Sequence, residues 1–154
     1  AGAFETIRQA LSDADSPDEW QAAFSSATAL LAEAPDPAVV AWLTARSAVA
    51  GPTRPWALRA LVVAHDALDA VWAAEAAART LSDDYAATEH GRAGLAALVR
   101  LAVARGAEDD ALDALADFAA GWPDSDEVVG AASLVATAFP GTSAWDAVQS
   151  GSLR

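Results

Sequence analysis

At 154 residues, with 22 acidic side chains against 9 basic ones and a formal charge of −13, the chain has the size of one domain, 1–154, and a field that disfavours nucleic acid and membrane surfaces as partners. Without Cys it has no disulfide framework, no thiolate nucleophile and no thiolate metal site. Its hydrophobic fraction of 54% is largely Ala, 44 residues of it, and because Ala loses no side-chain entropy in a helix the expected class is all-α.

Pro, Gly and acidic residues punctuate the chain into about eight helices. The first is expected over Phe4 to Asp13, with Phe4, Ile7 and Leu11 along one face. Ser16-Pro17-Asp18-Glu19 reads as a capping box that opens a second helix, running to about Ala34. Asp36-Pro37 opens a third, closed by Gly51-Pro52. Pro55 starts a stretch that is either one long helix to Leu81 or two, broken near His65-Asp66. Asp83-Asp84 is expected to cap the next, which ends at Gly106 and whose first half is weakened by Gly91 and Gly94. Glu108 to Ala120 follows, closed by Gly121-Trp122-Pro123, and Asp124 to Glu127 starts another that runs through Phe139. Pro140-Gly141-Thr142 precedes a short last helix with Trp145 and Val148, and the tail from Gly151 to Arg154 is expected to fray.

Repetition is faint. The hexapeptide from Asp66 to Val71 echoes that from Asp110 to Leu115, an offset of 44, and acidic turns recur at Asp36, Asp83 and Asp124. Two helices per roughly 40-residue unit is the implied pattern.

Leu95 to Pro123 carries a more specific likeness. Leu95, Leu98, Val99 and Ala102 lie on one helix, Gly106 stands at a turn, and Ala111, Leu115 and Phe118 lie on a second helix before Pro123. The segment resembles a tetratricopeptide repeat, with departures: Val99 and Phe118 hold positions that family fills with small residues, and Ala102 holds its Tyr position. The resemblance implies antiparallel helix hairpins stacked in a right-handed array, and HEAT-like stacking suits the longer period equally. It also implies that Arg100 lies on the helix face lining a concave groove.

His65 and His90 are the only side chains whose ordinary pKa suits proton transfer near neutrality. His65-Asp66 matches the dipeptide of HD-type metal phosphohydrolases, but no His precedes it to complete the ligand set. A globin-like reading, with His90 proximal and His65 distal to a haem, is opposed by Gly106, Gly121 and Pro123, which break the long C-terminal helices it needs. Each His is therefore read as an ordinary residue near a helix boundary, with no metal or catalytic role assigned. Asp109, Asp113 and Asp117 fall at i, i+4 spacing and read as a solvated face, because a cation site would need converging ligands that the sequence does not show, and the loops Asp13–Asp15 and Asp124–Glu127 lack the Gly and terminal Glu of a calcium loop. Six Trp residues read mainly as core spacers between closely packed Ala-rich helices, with Trp56 and Trp122 the expected exceptions.

All nine basic residues are Arg, and seven of them lie between Arg46 and Arg105. The absence of Lys, Asn and Met beside abundant Ala, Asp and Val is the bias of a GC-rich coding sequence, as in a high-GC bacterium. A central basic patch in an acidic chain suits a carboxylate or acidic peptide, with Arg100 and Arg59 as anchors. The expectation is a protein- or peptide-binding adaptor without cofactor, and Ala-rich faces also suit a homo-oligomer. The alternative is a small-molecule or cofactor-binding helical bundle, enzymatic or not, that uses His65 or His90. Ala1 to Ala10 lacks a basic stretch followed by an apolar one, and the best apolar run, Val128 to Phe139, is too short to span a bilayer, so the expected compartment is the cytoplasm.

Overall fold

The computed structural model describes residues 5, 8–10, 13–14, 16–34 and 36–152. Of the first expected helix, Glu5, residues 8–10 and Asp13 are helical; Phe4, Ile7 and Leu11 lie outside the described residues. Eight helices follow: α1 (Pro17–Glu33), α2 (Pro37–Ser47), α3 (Arg54–Ala67), α4 (Val71–Asp84), α5 (Glu89–Ala104), α6 (Glu108–Gly121), α7 (Asp126–Ala138) and α8 (Ala144–Ser152). The fold is all-α, with no strand among the described residues. None of these helices is long and apolar enough to cross a membrane.

The helix starts follow the capping logic of the sequence. Ser16 Oγ accepts from Glu19 N at α1, Asp36 Oδ1 from Ala38 N at α2, and Ser125 Oγ from Glu127 N at α7, each satisfying an amide that has no partner within its helix. α5 departs from expectation. Asp83 and Asp84 close α4, and the cap of α5 is Thr88, whose hydroxyl accepts from Gly91 N. The stretch from Pro55 resolves into two helices, broken at Leu68-Asp69-Ala70.

That break and the α5–α6 turn share one geometry. Ala70 N donates to His65 O and Asp69 N to Asp66 O; likewise Ala107 N donates to Ala102 O and Gly106 N to Val103 O. Both are Schellman turns with the central residue in the left-handed region, Asp69 at φ 58° and Gly106 at φ 72°. The C-caps of the odd-numbered helices, Ala34, Leu68, Arg105 and Phe139, fall 34, 37 and 34 residues apart. The hexapeptide echo has no structural counterpart: its first copy spans the α3–α4 turn, whereas its second lies inside α6.

The chain divides into two compact units, Ala1–Ala77 and Ala78–Arg154, with the boundary inside α4. In the first, α1 and α2 both pack on α3, which buries Pro55, Ala57, Leu58, Ala60, Leu61, Val62 and Ala64. Phe24, Leu31 and Leu43 are the large buried side chains that α1 and α2 contribute. In the second, α5 packs on α6 and α7, and α6 packs on α7 and α8, so each helix meets the next and the next but one. Val99, Leu115, Phe118, Val128 and Val135 form its core with five Ala residues.

Small residues set the spacing of the helices. Among the described residues, 14 of 29 buried hydrophobic side chains are Ala, so backbones approach closely. A Cβ on Gly94 of α5 would lie 2.6 Å from Ala78 O, and one on Gly151 of α8 would lie 2.1 Å from Ala116 O. Gly91 and Gly94 therefore seat α5 rather than weaken it. Gly151, expected in a frayed tail, is helical and buried. The reading of the Trp residues as core spacers is corrected: Trp20, Trp42, Trp56 and Trp122 are only half-buried, Trp122 packing against the edge of the second unit's core, and Trp72 and Trp145 are exposed, while the large buried rings are Phe24 and Phe118.

Candidate functional site

Arg100 emerges from the register of α5. Gly91, Gly94, Ala97, Leu98 and Leu101 fall on one side of that helix and are buried, and Val99 and Ala102 turn into the core of the second unit. Helical periodicity then leaves Glu89, Ala93, Arg100 and Ala104 on the outer face. Arg100 is exposed and makes no ion pair, hydrogen bond or ring contact among the described residues.

The neighbouring helix α7 adds an apolar surface. It buries Val128, Ala132 and Val135, and its outer face shows Val129, Gly130, Ser133, Leu134 and Thr137, with no charge beyond Glu127. Val129 is 52% exposed and Leu134 is 41% exposed. In a chain of net charge −13, the stretch of α7 beyond Glu127 carries no carboxylate.

Beside it, at the α6–α7 turn, Arg92, Gly121, Trp122, Pro123 and residues 124–127 line a cleft of about 530 Å³. The Arg92 guanidinium lies 5.2 Å from the centre of the Trp122 ring and its Nε is 3.3 Å from Glu127 Oε1. Here an Arg is already engaged by an aromatic face and a carboxylate. Arg59, on α3 in the first unit, is likewise stacked, 5.0 Å over Trp56, and Arg46 lies 5.1 Å over Trp42. Of the two Arg anchors expected from sequence, Arg100 is open to solvent and Arg59 is held half-buried on its own helix. They belong to different units.

The remaining candidates resolve individually. His65 sits in the last turn of α3, and partial burial holds its imidazole below its ordinary pKa by disfavouring the charged form. His90 is half-buried in α5 with its ring edge-on to Tyr85, centroids 6.0 Å apart. Asp109, Asp113 and Asp117 are exposed along α6, as the solvated-face reading requires. Among the described residues, no three His, Asp or Glu side chains converge as a metal site would need.

Three features lie beyond the sequence reading although each leaves a signal in it. Trp42–Arg46 and Trp56–Arg59 stand at i, i+4 and i, i+3, the spacings that bring helical side chains together. The uncharged run beyond Glu127 is too short for a bilayer, but its length says nothing of the apolar face it leaves exposed. Trp72, not Trp56 or Trp122, is the most exposed Trp at 72%, followed by Trp145 at 50%. Comparison with family models, curated proteins and solved structures finds no match to the chain.

Proposed function

We propose that this protein is an interaction module, a helical-hairpin adaptor that binds a protein or peptide segment on the outer faces of α5 and α7. The observations that carry the reading are the exposed apolar surface of Val129 and Leu134 on α7 and the exposed Arg100 on α5, the helix packed against it, whose guanidinium meets no carboxylate among the described residues. Exposed apolar surface on one helix and an unpaired, bidentate-capable cation on the helix packed against it suit a segment that brings apolar side chains and one acidic group. The spacing of 34 to 37 residues between successive C-caps supports the tetratricopeptide-like reading, since repeats of that family are about 34 residues long. Two like Schellman turns, at the ends of α3 and α5, support it as well. Metal-dependent use of His65 or His90 gains no such support, since no three His, Asp or Glu side chains among the described residues converge as metal ligands.

Photo-crosslinking tests the proposal. A benzoylphenylalanine at Ser133, on the α7 outer face, is expected to form an adduct with a specific protein in cells, and Arg100→Glu is expected to abolish it. The same probe at Asp113, on the acidic face of α6, is expected to form none. An adduct that survives Arg100→Glu, or that forms equally from both positions, contradicts the proposal.

A further inference from the structure

A second surface lies on the first unit. Trp72 is 72% exposed in the first turn of α4, and Leu68, at the C-cap of α3, is 40% exposed four residues before it. The corner that carries them is a hydrogen-bonded Schellman turn. Leu68 N donates to Ala64 O at 3.1 Å, Asp69 N to Asp66 O at 3.0 Å and Ala70 N to His65 O at 2.8 Å, so the turn residues are fixed by backbone hydrogen bonds before any partner arrives. Asp66 and Asp69 are exposed on the same turn, and no basic residue occurs between His65 and Arg79.

A Trp buries about 150–250 Å² when covered, and Trp is enriched among the residues that dominate protein interfaces. We propose that the α3–α4 corner docks a segment of a partner protein that sets an apolar side chain against Leu68 and Trp72 and a Lys or Arg against Asp66 and Asp69. Charge complementarity selects this occupant. Two carboxylates on the corner and a net charge of −13 attract a basic segment and repel a second copy of this chain. The surface shares no residue with the α5–α7 face, and its occupant carries the opposite charge to the one expected there.

The test is a selection of random 12-residue peptides, displayed on phage, against the full chain. Enriched peptides are expected to combine aromatic or Leu residues with Lys or Arg. Synthetic copies are expected to bind Trp72→Ala at least tenfold more weakly. Asp69→Asn, which tolerates the left-handed conformation while removing the charge, is expected to weaken binding several-fold and to reduce its salt dependence. Thermal melts matching the wild type establish that both variants are folded. Enriched peptides without basic residues, or with unchanged affinity for Trp72→Ala, overturn the proposal. Peptides lost on Arg100→Glu but retained by Trp72→Ala overturn it while leaving the α5–α7 reading intact.

Discussion

Asp69 occupies a conformation in which a Cβ crowds the following carbonyl, yet the Schellman turn of α3 demands it. Asp tolerates that region better than branched residues, so Asp69→Gly is expected to leave stability unchanged or raise it, and Asp69→Val to lower it by about 1–2 kcal/mol, read from urea midpoints. Glycines give a paired prediction. Gly94→Ala drives a Cβ into Ala78 O and the Leu81 side chain and is expected to cost about 1–3 kcal/mol; Gly130→Ala, in open space on α7, is expected to stabilise by about 0.5–1 kcal/mol. Neither difference is legible in the sequence, where both glycines simply interrupt helical stretches. What decides between them is the distance to a neighbouring backbone, a property of packing alone.

Helix caps were legible because their chemistry is local. Ser16, Asp36 and Ser125 each sit within three residues of the amide they satisfy, so the sequence carries both partners. The Asp83-Asp84 pair misled for the opposite reason: acidic residues favour a helix start, but Thr88 lies closer to Gly91 and takes the cap. The hexapeptide echo misled likewise, since near-identical residues fold as a turn when Asp69 ends a helix and as mid-helix when Asp113 lies inside α6. At the end of α3, His65 makes the element pH-sensitive. Burial lowers its pKa below the ordinary 6.5, so the unfolded chain takes up a proton before the folded one does. Above that pH both forms are neutral and the stability is full; as the pH falls through 6.5 toward the folded pKa, stability is expected to decline. Melting curves of the wild type and His65→Gln between pH 7.5 and 5.5 check this. The variant is expected to show a shallower decline.

For the whole molecule, charge is set by composition and distributed by the fold. A net −13 on a chain of this size repels itself, so added salt is expected to raise the melting temperature between 20 mM and 500 mM NaCl. The all-α class followed from Ala content and punctuation, and the packing of each helix on the next and next but one in the second unit agrees with the hairpin reading. The surfaces were less legible. For Arg100 the sequence offered a helix face only through the tetratricopeptide resemblance, and that Arg59 stacks on Trp56, and that Trp72 is exposed, depend on which side each helix turns to its neighbours. The proposed role rests on the α5–α7 face, where binding is expected to weaken with salt because Arg100 supplies its charge. Titration of the partner captured from Ser133 against the wild type and Arg100→Glu bears on it most directly: a loss of about 10- to 100-fold is predicted, as for a charge-assisted hydrogen bond, and equal affinities for the two proteins would contradict the account.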